Sequence, residues 1–176
     1  QMANQKQFVN ASDFWEGMVE PDCDEFRNDH ANLRKALHSA NSLFHMHDWV
    51  FGTHQAYVQS NFTFRDINGI TRPVTDEKEF ANALEQLEPN FGLIRGIANA
   101  GKHLSLRSRR PVPNAPIHSA NTRTSTSGYG EGGFGNGPFG GSERVTLQGA
   151  NGDIEYIDIL EAVFDMWKRL KATHNW

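Results

Sequence analysis

The segment from Leu33 to Val58 carries the longest helical pattern in the chain. It contains no proline and one glycine, Gly52, so the sequence predicts a single long helix there. At about 100° per residue, one side of this helix is apolar, and it carries Leu33, Leu37, Ala40, Phe44, Phe51 and Val58. The other side forms a polar stripe of His38, Asn41, His45 and Asp48. We therefore expect the long helix to pack in a core and to present a polar seam.

Shorter patterns on both sides of the long helix predict its neighbours. Ser12 can cap a short helix that Pro21 ends, and Asp29 can cap the long helix itself. Segment 61–75 contains an Asn-Gly and an Arg-Pro dipeptide and has little helical period. We predict that this segment is a loop.

Two further helices are predicted before residue 105. Asp76 and Glu79 make an N-terminal capping pattern, and the helix that follows runs up to Pro89. The apolar side of the next helix carries Leu93, Ile97, Gly101 and Leu104. Its opposite side carries Arg95, Asn99, Lys102 and His103. This helix also contains four small residues, Gly96, Ala98, Ala100 and Gly101. They predict that it packs closely against the long helix.

Residues 105–142 differ in composition from the rest of the chain. Their first part contains three prolines and many serines and threonines, which favour an extended backbone over a helix. The glycine-rich part, 128–142, repeats aromatic residues in phase, namely Tyr129, Phe134 and Phe139. We predict an extended insertion, 105–142, in which Ser119 to Ser142 forms a mobile flap. The aromatics would anchor this flap on the body or on a second subunit, near the end of the helix that carries His103.

The end of the chain combines strand and helix patterns. Residues 143–148 alternate in the manner of a strand, and a glycine-containing turn then predicts a β-hairpin that ends at Tyr156. Asp158 can cap a final amphipathic helix. Together the patterns predict one mainly α domain, a helical bundle of about four or five helices with a small β-hairpin before the C-terminal helix.

Cysteine usage and hydropathy indicate the compartment. Cys23 is the only cysteine, so no intrachain disulfide can form. No charged-then-apolar leader and no apolar run of membrane-spanning length occurs in the sequence. We expect a cytoplasmic protein without a membrane span.

The charge is unevenly distributed along the chain. A net charge of -4 argues against a globally basic nucleic-acid binder, but residues 89–130 contain no Asp or Glu. The cations in that stretch are Arg95, Lys102, Arg107, Arg109, Arg110 and Arg123. Such a local positive field is typical of a phosphate or polyanion site, and a solvated basic surface is the alternative.

Three hypotheses account for the two polar helix faces, which would meet if the helices pack antiparallel. The first is a hydrogen-bonded network in which Asp48 pairs with Lys102 or Arg95. The second is a catalytic or anion-binding seam, in which an imidazole moves a proton while a cation holds a phosphate. The third is a metal site with His45 and Asp48 as ligands and a third ligand from His103 or His38.

Other motifs narrow the chemistry. The patterns H-E-x-x-H, C-x-x-C and G-x-S-x-G are absent, and the G-x-G-x-x-G of 130–135 lacks a flanking strand and helix. His47 and His54 fall toward the apolar side of the long helix, so we expect them to be core or helix-contact residues. Cys23 lies next to acids, so we expect no lowered pKa and no cysteine nucleophile.

The chain resembles a group of small uncharacterised bacterial proteins that have HxxDW and IANxxKH signatures. The resemblance rests on three stretches of the sequence: ANLRKALHSANSLFHMHDWVF, LIRGIANAGKHLSL and ILEAVFDMWKRL. These bacterial proteins are in turn similar to HEPN-like helical domains. The signatures begin here at His45 and Ile97. Active HEPN ribonucleases have an Arg followed closely by a His, whereas His103 lies further from Arg95 than that pattern requires.

The resemblance implies a HEPN-like nucleic-acid-associated protein, either a ribonuclease or a catalytically silent binder of RNA or a nucleotide. It also implies a homodimer, because HEPN-like domains commonly pair. The candidate site residues are Arg95, Asn99, Lys102, His103, His45 and Asp48. We expect no cofactor for this leading hypothesis. Two alternatives stay open: a metal-binding protein or metal-dependent enzyme that uses His45, Asp48 and His103 and holds a divalent metal, and a structural dimerisation module.

Overall fold

The computed structural model of the protein describes residues 7–102, 118–126, 143–149 and 152–176. The α-helices in these ranges are α1 (Ala11–Phe14), α2 (Glu20–Arg27), α3 (Leu33–Asn61), α4 (Glu77–Leu87), α5 (Pro89–Lys102) and α6 (Tyr156–His174). The strands are β1 (Thr63–Arg65), β2 (Thr71–Pro73), β3 (Thr122–Thr126), β4 (Glu143–Gly149) and β5 (Gly152–Glu155). The protein is mainly α, as the sequence predicts.

The N-terminal helices form one continuous helical run. A π-helical segment, Trp15–Val19, joins α1 to α2, so the prediction that Pro21 ends a helix is wrong. The proline lies in the first turn of α2, directly after the wider π turn, where its missing N–H and its ring are tolerated. The cap of α1 is Asn10 rather than Ser12, and its side chain accepts a hydrogen bond from the Asp13 amide at 2.9 Å.

Helix α3 confirms the predicted long helix and extends it to Asn61. Its N-cap is Asn32, which accepts from the Lys35 amide at 3.2 Å, so the prediction of Asp29 as the cap is wrong. Asp29 instead accepts a hydrogen bond from the Asn32 amide group and pairs with Lys35. The helix is kinked at His54, which has the non-helical angles φ -127° and ψ 33°.

The segment predicted as a loop, 61–75, contains an antiparallel hairpin of β1 and β2. Gly69 adopts a φ of +77° at its turn, a conformation that glycine reaches without strain. The side chain of Gln86 on α4 bonds to both the amide and the carbonyl of Arg65, at 2.7 and 2.8 Å. Because this partner lies on a later helix, the local turn signals do not reveal the strand.

Helices α4 and α5 confirm their predictions. Asp76 caps α4 by accepting from the Glu79 amide at 2.7 Å, and the Glu79 carboxylate reaches back to the Thr75 amide at 2.8 Å. Helix α4 ends one residue before Glu88, and Pro89 begins α5. Proline at a first helical position needs no hydrogen-bond partner for its nitrogen.

Helices α3 and α5 pack against each other in antiparallel orientation. Phe91 at the start of α5 lies 5.9 Å from Phe44, measured between ring centroids, whereas Gly101 near its end faces Leu37, at the start of α3. Of the small residues of α5 that the sequence predicts at a close helix contact, Gly96, Ala98 and Ala100 are buried inside the chain. They therefore serve the packing of this domain, and the homodimer stays a prediction of the resemblance.

The C-terminal part confirms the predicted hairpin as β4 and β5 and adds the strand β3 to it. The predicted flap 119–142 is wrong in its first part, because Ser119–Asn121 forms a 3-10 turn and β3 pairs with β4. The rest of the flap, 127–142, lies outside the described residues. Helix α6 begins at Tyr156 with Glu155 as its N-cap, so Asp158 is a first-turn residue and not the cap. None of the helices in the described ranges has an apolar stretch that could span a membrane.

Candidate functional site

The polar seam contains an imidazole–carboxylate cluster on α3. His45 and Asp48, one helical turn apart, are joined by a 2.7 Å contact between Nδ1 and Oδ2. The Nε2 atom of His47 lies 3.1 Å from Oδ1 of the same carboxylate. Asp48 therefore contacts two imidazoles, one through each carboxylate oxygen.

His47 is held in one orientation at the α3–α5 contact. It is buried beside the rings of Phe44 and Phe91, and its Nδ1–H donates to the Phe44 carbonyl at 2.5 Å. Burial lowers the pKa of His47, although the Phe44 hydrogen bond and the Asp48 charge act in the opposite direction. When His47 is neutral, its Nε2 atom carries a lone pair and can only accept a hydrogen bond. Its contact with Asp48 Oδ1 is therefore favourable when either the imidazole or the carboxylate carries a proton. His47 and Asp48 can thus share one proton.

Arg95 on α5 has its hydrogen-bond partners on α4. Its Nη1 donates to Glu85 at 2.8 Å and to Asn82 at 3.2 Å, both on α4, so the guanidinium is held in place. Burial is the main cause of the lowered pKa of His47, and the positive charge of Arg95 is the smallest of the causes that lower it. The hypothesis of an Asp48–Arg95 pair is therefore corrected, because Glu85 is the carboxylate that pairs with this arginine.

The structure brings part of the predicted site together. His45 and Asp48 are in contact on α3, whereas Arg95 on α5 pairs with Glu85 of α4. Asn99 is half-buried on α5. Lys102 is the last residue of α5, and His103 lies outside the described residues. The sequence did not predict a part for His47 in this cluster. Its position two residues after His45, next to Asp48, was the signal that could have indicated it.

An open pocket adjoins the cluster on the other side of Asp48. Its volume is about 280 Å³, and it is lined by Val9, Asp48, Trp49, Gly52 and Thr53. The carboxylate of Asp48 thus lies between the imidazoles of the seam and this pocket. A ligand could reach it from the solvent.

The metal hypothesis stays a prediction. His45 and Asp48 are adjacent, as two ligands of one ion would be. Across the residues that the structure describes, no group of three His, Cys, Asp or Glu side chains is arranged to hold a metal ion. The proposed third ligand His103 lies outside those residues.

A second polar cluster, which the sequence did not predict, connects α2 to α3. Burial raises the pKa of Asp22, while a hydrogen bond with Ser42 and the charge of His38 lower it. Next to it, burial raises the pKa of the Cys23 thiol, which confirms that this cysteine has no lowered pKa. Only the packing of α2 on α3 brings these side chains together, so no local pattern predicts the cluster.

The described cations of the acid-free stretch are balanced by carboxylates from other elements. Arg95 pairs with Glu85, and Arg123 on β3 pairs with Asp153 on β5 at 3.1 Å. The arginines of 105–117 lie outside the described residues. A charge pattern along the chain therefore overstates the positive field at these two positions.

Comparisons of the chain with protein-family models, with curated proteins and with solved structures give no match.

Proposed function

We propose that the protein is a HEPN-like nucleic-acid-associated protein that binds RNA or another phosphate-bearing ligand at the α3–α5 seam. It would act either as a ribonuclease or as a catalytically silent binder. The observation that supports this most is the antiparallel packing of α5, which carries Arg95, against α3, which carries the His45–Asp48 pair. A guanidinium and an imidazole–carboxylate pair on two packed helices are groups suited to a phosphate.

The division of labour follows from the chemistry of each group. Arg95 would bind a phosphate oxygen, because its planar guanidinium is always charged and is oriented here by Glu85. His45 would exchange a proton with the ligand while Asp48 holds its ring through Nδ1. In a ribonuclease this imidazole would take the 2′-hydroxyl proton. In a silent binder it would donate a hydrogen bond to phosphate.

Binding of a short fluorescent single-stranded RNA at increasing salt concentration tests the proposal. We expect the affinity to fall steeply with salt, because phosphate contacts release counterions. Arg95→Ala should weaken binding about tenfold and reduce the salt slope by about one. Arg72→Ala is the matched control, because Arg72 is an exposed hairpin arginine paired with Asp66. Undetectable binding at low ionic strength, or equal affinities of Arg95→Ala and wild type, would contradict the proposal.

The adjacent His45 and Asp48 side chains favour one second candidate, a metal-binding protein or metal-dependent enzyme. This function needs a near-stoichiometric transition metal in the purified protein. Elemental analysis should then find zinc, iron or manganese, which His45→Ala loses and the exposed-histidine variant His30→Ala retains. Metal content that is negligible, or equal in both variants, rejects it.

A further inference from the structure

We infer that the contact between α4 and α5 carries a subsite for one phosphate group, which Arg95, Asn82 and Asn99 bind together. As a description of the biological ligand, this inference rests on the proposed function, and it locates the phosphate on the α4 side of Arg95. The subsite can also be tested with inorganic phosphate alone, so it can fail independently of RNA binding.

One edge of the Arg95 guanidinium is open. Only Nη1 takes part in the bonds to Glu85 and Asn82. Within the part of the chain that the structure describes, Nε and Nη2 of this arginine make no hydrogen bond. These two nitrogens carry parallel N–H donors whose spacing matches two oxygens of one anion. The Arg95 side chain is 27% exposed, so a ligand can reach it while part of its surface is shielded from water.

Two amide groups supply further donors beside Arg95. Asn82 accepts from Arg95 through Oδ1, and its Nδ2 group donates to no atom of the described residues. Asn99 follows Arg95 by one helical turn on the same face of α5. It is half-buried, and its side chain makes no hydrogen bond within the described ranges. Half-buried amides of this kind gain hydrogen bonds when a ligand supplies the acceptors.

Lys78 gives this face a net positive charge. Asn82 contacts Arg95 across the antiparallel helices α4 and α5. Lys78 precedes Asn82 by one turn on α4, so it lies near the level of Asn99 on α5. Its side chain is exposed and forms no ion pair in the described part of the chain. Because Arg95 and Glu85 neutralise each other, the charge of Lys78 decides the sign of the local field.

The number of donors favours a phosphate over a carboxylate. Arg27 shows within this protein that an Nε–Nη2 edge occupies both oxygens of a carboxylate, since it binds Glu161 at 2.7 and 2.8 Å. A carboxylate on the same edge of Arg95 would have no further oxygen for the amides. A phosphate has additional oxygens, so it can accept from Arg95, Asn82 and Asn99 at once.

Titration of the intact protein with inorganic phosphate tests the subsite directly. NMR can follow the Nε–H of Arg95 and the side-chain amides of Asn82 and Asn99, with acetate at equal ionic strength as the comparison. We expect all three groups to shift and saturate with phosphate, and acetate to bind at least about fivefold more weakly, because it forgoes a hydrogen bond. No shift at these groups, or equal affinities for the two anions, overturns the inference.

Variants of Asn99 test its part in binding. Asn99→Ala should weaken phosphate and short RNA about fivefold, the effect of one lost hydrogen bond. Asn99→Asp places a negative charge at nearly constant size and should weaken both at least about tenfold. Asn28→Asp adds the same charge at an exposed asparagine at the end of α2 and should leave both affinities unchanged. Wild-type affinity for both ligands in Asn99→Ala overturns the inference, and this variant remains informative if Asn99→Asp does not fold.

The two ligands separate the subsite from the proposed function. If RNA binds with a steep salt dependence and requires Arg95 but tolerates both Asn99 variants, the function stands and the subsite fails. If inorganic phosphate shifts the three groups but RNA does not bind at low ionic strength, the subsite stands and the proposed function fails.

Discussion

His47 shows how burial and one backbone contact fix the state of a single side chain. The Phe44 carbonyl takes its Nδ1–H, and the rings of Phe44 and Phe91 exclude water from the imidazole. Its Nε2 is then the atom that can take up a proton, next to Asp48. The fold therefore couples the protonation of this residue to the integrity of the α3–α5 contact.

Stability should depend on pH through His47. Burial lowers its pKa in the folded protein, so the unfolded chain takes up a proton at higher pH than the folded chain does. The free energy of unfolding should fall as the pH drops through the ordinary histidine range and level off below the folded-state pKa. The loss is about 1.4 kcal/mol for each unit by which the pKa is lowered.

His47→Gln separates this effect from the other titrating groups. Glutamine can still donate a hydrogen bond to the Phe44 carbonyl but does not titrate. Urea unfolding of wild type and variant from about pH 8 to about pH 5, across the histidine range, should show a flatter profile for His47→Gln. The half-buried His54→Gln is the control and should keep the wild-type profile. Parallel profiles of His47→Gln and wild type would contradict the assignment.

At the scale of elements, the sequence predicts those whose signals are local. Helix α4 is bounded by the Asp76–Glu79 capping pattern and by Pro89, and both operate within a few residues of the helix ends. Helix α3 is predicted by its uninterrupted apolar stripe, although the kink at His54 is not. The strands β4 and β5 are separated by only two residues in the sequence, so their pairing is local as well.

The elements that sequence reasoning missed depend on distant partners. Strand β1 is completed by Gln86 on α4, and β3 exists as a strand because it pairs with β4 across segment 127–142. A loop prediction for 61–75 followed from turn signals alone. Turn signals mark where the chain reverses and do not show whether the flanking residues pair.

In the candidate site, too, contacts within one helix could be predicted from the sequence, whereas contacts between helices could not. The His45–Asp48 contact follows from helical spacing, and the structure shows it. The partner of Arg95 could not be predicted, because Glu85 lies on a neighbouring helix, α4. Which face of a helix is polar is therefore a local property, whereas which charges pair is a property of the packing.

At the scale of the whole molecule, α6 connects elements that lie far apart in sequence. Arg27 on α2 donates two parallel hydrogen bonds to Glu161, at 2.7 and 2.8 Å, and lies over the Phe164 ring at 4.2 Å. Trp167 is fully buried, and its Nε1–H donates to the Leu43 carbonyl on α3 at 3.0 Å. Helix α6 therefore supports the middle of α3, the helix that carries the seam and the pocket.

Trp167→Phe should destabilise the whole domain and not one element alone. The change leaves a space in the core and removes the donor to the Leu43 carbonyl, which together cost about 2 to 3 kcal/mol. Denaturant unfolding followed by circular dichroism should show a single transition at lower denaturant concentration. The control Trp49→Phe replaces a half-buried indole and should cost about 1 kcal/mol or less. Equal losses in the two variants would show that the bond between α6 and α3 contributes nothing specific to the fold.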